Sequence, residues 1–249
     1  MVHLEIQFSE QMTSQPNAFA QTADFEFAAL NEARNYRHAL LRDFQTRLHG
    51  NVLEVGAGVG QMTCELLKLP AIERLYSIEP DAGYCTRIRE QLPHVNLLQG
   101  TVDDLKAAIS WDAILSINVL EHIELDADEL ATYYRLLKPA RGALCLFVPA
   151  RPEIYAPIDK DFGHFRRYTR ADLRKKLEHA GFRVYQLRYY NLVGYFAWWA
   201  NFCLLKKRSF DVAAVRLFDR AIFPTVHALE SRICPPPIGQ SLMVVAEAR

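Results

Sequence analysis

The chain has no net charge, since 29 Lys and Arg stand against 29 Asp and Glu in 249 residues. That balance argues against duplex nucleic acid as a partner, because such binding depends on neutralising many phosphates, and it favours a small or neutral one. Paired cysteines are missing too. Cys64, Cys85, Cys145, Cys203 and Cys234 are odd in number, scattered and mostly inside apolar segments, with no two at metal-ligand spacing. No disulfide framework and no metal centre are expected, and the cysteines read as reduced filler of a cytoplasmic protein. The N-terminus lacks the look of an export signal: residues 1–8 mix His3, Glu5 and Gln7 into the apolar positions without a positive start. Nor is there a convincing membrane span. Residues 189–205 carry seven aromatic side chains and no charge, but Asn191, Gly194 and Asn201 interrupt the stretch, and a spanning helix needs about 20 apolar residues.

What is present is concentrated between Val52 and Gly60, read Val-Leu-Glu-Val-Gly-Ala-Gly-Val-Gly. A short apolar strand runs into a turn with glycine at alternate positions, and a helix is expected from Gln61 to Leu69. Glycine lets main-chain N–H groups approach a ligand closely, and the helix N-terminus faces the same spot, so a nucleotide-like cofactor is the natural occupant. Further on, at the end of a second apolar strand, Glu79 can accept hydrogen bonds from both hydroxyls of a ribose. A nicotinamide or flavin fingerprint would place its third glycine three residues beyond the second. Here that position is Gln61, which disfavours a nicotinamide oxidoreductase.

On these residues the chain resembles the class I S-adenosylmethionine-dependent methyltransferases, especially their bacterial small-molecule branch. The likeness runs from about Asn35 to Pro149. Residues 54–60 resemble the family's first motif, Tyr76-Ser77-Ile78-Glu79-Pro80 its second, residues 111–122 its fourth, and Leu136-Leu137-Lys138-Pro139 with Gly142 and residues 143–148 its fifth. The resemblance implies S-adenosylmethionine as cofactor, held by Glu54, Gly56, Ala57, Gly58, Gly60, Glu79 and Pro80. It further implies that Val102 offers its backbone N–H to the adenine. The family commonly has an acid at the position of Thr101; this chain does not, and Asp103 would accept from the exocyclic amine instead. Asn118 would present its carbonyl to the methionine ammonium, or it caps the loop. An upstream aromatic and arginine often approach the methionine end in this family, which makes Tyr36 and Arg37 candidates beside ordinary packing and solvation.

Strands expected at 52–55, 74–79, 95–99, 111–118 and 142–149 alternate with helical segments, which implies a parallel sheet. Residues 182–190 read as a sixth strand and 241–248 as a seventh. The fold class is therefore α/β, a Rossmann-like seven-stranded mostly parallel sheet flanked by helices. An N-terminal helical cover is expected over residues 1–50, on the apolar periodicity of Phe27, Leu30, Ala33, Tyr36, Leu40, Leu41, Phe44 and Leu48. The cofactor-binding core spans 51–190, an insertion 191–240 and the final core strand 241–249. Asp81 is placed to cap one helix and Thr169, with Asp172, another.

The insertion reads either as a packed lid, with Tyr195, Phe196, Trp198 and Trp199 walling an acceptor pocket, or as a membrane-surface helix whose aromatic bodies precede Lys206-Lys207-Arg208. The loop before Thr169 gathers Asp159, Asp161, His164, Arg166, Arg167 and Tyr168 beyond the C-terminal edge of the sheet, where open α/β folds bind substrates. His164 is the first candidate for a general base and His122 the second. Arg166 or Arg167 could bind an acidic group by a bidentate fork, with Tyr155 and Tyr168 lining the same pocket. Alternatively, this loop bonds to itself, its arginines in salt bridges.

The expected activity is methylation of an oxygen or nitrogen of a small, lipophilic metabolite. Two alternatives stay open: a membrane-surface enzyme acting on a lipid or lipid-linked acceptor, and a non-catalytic cofactor-binding partner whose acceptor pocket the insertion blocks.

Overall fold

A computed structural model describes residues 31–105, 109–232 and 235–249. Its core is a seven-stranded sheet in the order β3-β2-β1-β4-β5-β7-β6. The strands are β1 (Gly50–Val55), β2 (Ile72–Glu79), β3 (Asn96–Gln99), β4 (Ala113–Ile117), β5 (Ala143–Pro149), β6 (Phe182–Tyr190) and β7 (Ser241–Ala248). Strands β1 to β5 pair in parallel, whereas β7 runs antiparallel between β5 and β6. The strands lie within two residues of where the sequence puts them, because each is a short apolar run closed by a turn residue.

Side chains alternate across the sheet, so each face builds its own core. Leu53, Val55, Ile114, Leu144 and Leu146 pack with helices Asp126–Leu137 and Arg170–His179 on one side. Val52, Ala113, Leu115, Cys145 and Phe147 pack with helix Arg34–Phe44 on the other. Every residue of β5 is buried, as befits a central strand covered on both faces. The order reverses direction between β1 and β4, which opens a crevice at their carboxyl ends. The two helix caps expected from the sequence are made: Asp81 accepts from the N–H of Tyr84 and Thr169 from that of Asp172.

The segment between β6 and β7 is helical, with Leu192–Trp198, a π-helical turn Trp199–Leu204, then Val212–Leu217, a second π-helical turn Phe218–Ile222, and Phe223–Arg232. It is fastened to the core by buried carboxylates. Helix Arg34–Phe44 has no side-chain cap of its own, and Asp219 of the insertion supplies one. Its Oδ2 accepts from Asn35 N–H at 3.0 Å and its Oδ1 from Tyr36 N–H at 2.9 Å. Glu230 does the same for helix Leu192–Trp198, accepting from the N–H groups of Asn191 and Leu192 at 2.9 and 2.7 Å. Each satisfies donors that a helix start otherwise leaves open. Of the periodic positions expected upstream, Phe27 and Leu30 lie outside the described residues, as does Cys234.

Asp219→Ala should lower the unfolding free energy by about 1–2 kcal/mol, the usual cost of a lost helix cap. Urea denaturation followed by far-UV circular dichroism checks it; an unchanged midpoint would mean that the link contributes nothing.

Candidate cofactor and acceptor site

The turn after β1 makes the floor of the site. Gly56, Gly58 and Gly60 all have positive φ, at 74°, 57° and 82°. At Gly56 a Cβ would collide with Val119, so the residue is fixed by packing as well as by backbone conformation. At Gly58 an added Cβ would meet open space instead, the space a ligand would fill.

That space is a cavity of about 420 Å³ at the carboxyl ends of β1 and β4, within the range of small-molecule sites. Its walls include Tyr36, Arg37, Glu54, Gly56, Ala57, Gly58, Glu79, Pro80, Asn118 and His122, all candidates from the sequence. Met62, Leu115, Ile117, Phe147 and Phe162 give it an apolar side. Asn118 adopts a left-handed conformation with φ 52° at the end of β4, its N–H held by the carbonyl of Phe147 at 2.8 Å. Arg37 reaches across from its helix to Gln61, Nη1 donating to Oε1 at 3.2 Å.

Two buried carboxylates stand beneath the glycine turn. Glu79 accepts from Gly58 N–H at 2.7 Å through one oxygen and from Asp81 N–H at 2.9 Å through the other. Burial raises its pKa, with those two backbone donors opposing. A carboxylate has about four lone-pair sites, so capacity for further donors remains. Glu54 accepts from the hydroxyls of Thr63 and Ser77, both at 2.7 Å. Burial pushes its pKa up to about 7, the two hydroxyls oppose the shift, and the nearby charge of Glu79 adds to it.

Val102 and Asp103 do not reach the described cavity wall. Val102 is buried at the start of the turn Val102–Asp104, Asp103 is exposed, and the turn closes on itself because Thr101 N–H donates to Asp104 at 2.8 Å.

The structure separates the two histidines. His122 opens onto the cavity, while the protein around its ring and the neighbouring His164 push its pKa down to about 4, against a hydrogen bond to the backbone of Phe162. His164 is buried behind it, with ring centroids 4.6 Å apart and the rings edge to face. Its Nδ1 lies 3.0 Å from Oδ1 of Asp159, so the first base candidate stands one shell back from the cavity.

The arginines of this loop stand in salt bridges, as the second of the two sequence readings has it, but only Arg167 pairs within the segment, while Arg166 and Tyr168 reach outside it to Asp126. Arg167 donates to Asp159 from Nε and Nη2 at 2.9 and 2.8 Å and lies 4.3 Å from the ring centroid of Trp198. Arg166 pairs with Asp126 at 2.9 Å, and Tyr168 donates to the same carboxylate at 3.0 Å. Tyr155 donates to the carbonyl of His164 at 2.6 Å. Arg167 is buried and paired, as a buried charge must be, and Arg166, Tyr155 and Tyr168 already hold protein partners, which leaves all four poorly placed to grip a substrate. Trp198, expected on the wall of the pocket, instead packs with Ile154, Ile158 and Phe202, its Nε1 donating to the carbonyl of Ile154 at 3.1 Å. Tyr195 packs against that cluster and Trp199 is exposed, so the insertion covers residues 154–162 and does not line the cavity itself. Asp161 and Phe162, at the edge of this covered segment, are what face the cavity.

Sequence reasoning missed Asp219 and Glu121. Asp219 acts on helix Arg34–Phe44 from far along the chain, and no local pattern announces that. Glu121 stands next to His122 in a recognised motif, yet its complete burial is a tertiary fact.

Known proteins agree with this geometry. Residues 27–187 match a family described as a methyltransferase domain. An uncharacterized methyltransferase of Bacillus mycoides is 30% identical over 124 residues, which is 49% of this chain and 56% of that protein. The chain thus spans about half the length of the curated relatives it matches. Among solved structures, an S-adenosylmethionine-dependent methyltransferase from Mesorhizobium loti superposes with a TM-score of 0.57 at 15% identity, covering 83% of this chain and 95% of that one. The N-methyltransferase NodS of Bradyrhizobium japonicum, in complex with S-adenosyl-L-homocysteine, does so with a TM-score of 0.55 at 15% identity, covering 86% of each. At such identity the two structures speak for the fold.

The raised pKa of Glu54 has a consequence for stability. The folded state holds that proton more tightly than the unfolded chain, so the contribution is fully present below about pH 4.5 and is lost as pH rises to about 7. Glu54→Gln should flatten that part of the stability profile in urea titrations; a slope unchanged by the substitution would contradict the assignment. From fold, motifs and family match together, the chain belongs to the class I S-adenosylmethionine-dependent methyltransferases.

Proposed function

We propose that this protein transfers the methyl group of S-adenosylmethionine to an oxygen or nitrogen of a small, lipophilic metabolite. One observation carries the reading. The glycine turn, Glu79 and His122 border a single cavity, so a nucleoside held by the first two would extend toward the third. Glu79 would take the ribose hydroxyls, the turn would admit the ligand close to bare main chain, and Arg37 and Asn118 would meet the methionine end. The Glu79 carboxylate beneath the turn, held by two backbone donors, favours a cationic guest, and a sulfonium compound is one.

Methyl transfer is an in-line displacement, in which holding the acceptor and excluding water do most of the work. The acceptor's oxygen or nitrogen attacks the methyl carbon as the carbon–sulfur bond breaks, and the sulfur leaves as a neutral thioether. His122, neutral at physiological pH, is the candidate group beside the acceptor that can receive its proton. His164 and Asp159 hold that corner from behind. The apolar side chains Phe147, Phe162, Met62 and Ile117 support a lipophilic acceptor. Free thiols at Cys64, Cys85, Cys145 and Cys203 support a cytoplasmic setting. Trp198 packs away from the cavity, which counts against a silent partner with a plugged pocket.

A second reading, an enzyme working at a membrane surface, draws support from the insertion. Phe196, Trp199, Leu204 and Leu205 are 47–63% exposed, and Lys206 follows directly. No helix among the described residues is long and apolar enough to cross a membrane, so contact would be peripheral.

Glu79→Ala should weaken S-adenosylhomocysteine binding by about 1–3 kcal/mol in isothermal calorimetry, the cost of leaving buried donors unpaired. Gly58→Val should abolish binding, and unaltered affinity in both variants would remove the ligand from this crevice. Sedimentation with anionic vesicles separates the two settings: protein left in the supernatant supports the soluble enzyme, and protein pelleted with lipid supports the surface one.

A further inference from the structure

We propose that Glu121, His122 and His164 form a binding site for a first-row divalent transition metal at the acceptor end of the crevice. One ligand atom from each, a carboxylate oxygen and two ring nitrogens, can be chosen so that all three lie within 4.8 Å of one another. The sequence gives no metal-binding spacing because the ligands come from two distant segments. The fold joins them. Glu121 and His122 share the single turn Leu120–His122, and the N–H of Phe165 donates to the carbonyl of Glu121 at 2.8 Å, which sets His164 against that turn.

The electrostatics of His164 carry the inference. Its side chain is 8% exposed, and Nδ1 faces Asp159, whose carboxylate also accepts from Arg167 and from the N–H of Ala156. The Asp159 carboxylate orients the ring through Nδ1 and leaves Nε2 as the ligand atom on the opposite side. Nε2 is buried without a hydrogen-bond partner and lies 4.0 Å from Oε1 of Glu121, which is itself fully buried. A buried ring nitrogen left without a partner, with a carboxylate oxygen and a second imidazole beside it, is a donor set that a metal ion would complete. At 4.0 Å, Nε2 and the Glu121 oxygen are too far apart for a hydrogen bond. Ligand atoms around a zinc ion stand roughly 3–3.5 Å apart, a distance that small side-chain rotations would reach. The carboxylate behind a metal-binding imidazole is the arrangement that orients such ligands.

Two imidazoles and one carboxylate suit zinc, iron(II) or cobalt(II) better than magnesium or calcium, which prefer all-oxygen shells. Three protein ligands leave a position open, here on the His122 side, toward the cavity. This role rests on the methyltransferase reading above. With the metal bound, His122 serves as a ligand and no longer as the base: an acceptor hydroxyl at the open position, made more acidic by the metal, loses its proton to solvent, and its oxygen then attacks the methyl carbon. The carbon–oxygen bond forms, the carbon–sulfur bond breaks, and that electron pair neutralises the sulfonium.

The test is calorimetric titration of the chelator-stripped full chain with Zn²⁺, and separately with Co²⁺ while recording its visible spectrum. About one equivalent should bind, with a cobalt spectrum of histidine–carboxylate ligation. His122→Ala, His164→Ala and Glu121→Gln should each weaken binding at least about tenfold, and Asp159→Asn about 10–100-fold. The exposed His94→Ala should change nothing. Far-UV circular dichroism and urea denaturation of every variant without metal report whether it folds; His122 lies on the cavity wall, so its replacement tests the site even where a buried variant fails to fold. No stoichiometric binding, or binding that survives His122→Ala, would overturn the site. If the parent chain binds metal but not S-adenosylhomocysteine, the methyltransferase reading falls and the metal site stands; the reverse result sinks the metal site alone.

Discussion

The crevice depends on the carboxylate of Glu79. Strands β1 and β2 end side by side, and the turn that follows each carries a backbone donor. Glu79 collects one from each, Gly58 N–H and Asp81 N–H, and so locks the glycine turn to the neighbouring strand end. Charge-assisted hydrogen bonds of this kind are about twice as strong as neutral ones, enough to offset much of the cost of burying the charge. Glu54 sits beneath the same turn, where Thr63 and Ser77 hold it. Together they give the floor of the cavity a fixed shape before any ligand arrives, the preorganisation on which tight cofactor binding rests.

The upper wall is built from a distance. Tyr36 and Arg37 face the cavity from a helix whose first turn is capped by Asp219, and Asp219 belongs to the segment between β6 and β7. The aromatic ring of Tyr36 also stands edge-on to Phe147 and Tyr190, which ties the wall to β5 and β6. Movement of the insertion would therefore be felt at Tyr36 and Arg37, although none of Tyr195, Trp198 and Trp199 touches the cavity. The aromatic helix serves instead as a brace, with Trp198 clamped between the Ile154 carbonyl and the guanidinium of Arg167.

Much of this was legible in the sequence. Strand alternation, the three glycines and the acid ending β2 are local signals, and each rests on backbone geometry that a few residues determine. The helix caps at Asp81 and Thr169 were readable for the same reason. What could not be read depends on which charges end up buried together. Arg166, Arg167, Tyr168 and His164 look like a polar site in one dimension, but folding pairs them with Asp126 and Asp159. An aromatic run such as 195–202 says that something will be covered without saying what. Asp219 carries no local mark at all, since its partners are the N–H groups of a helix near the other end of the chain.

The most direct measurement of the central claim is a crystal structure of the protein grown with S-adenosylhomocysteine. The account predicts the nucleoside across the ends of β1 and β4, its ribose hydroxyls within hydrogen-bonding distance of Glu79 and its sulfur directed toward His122. An empty crevice at saturating ligand, or a ribose bound away from Glu79, would contradict it.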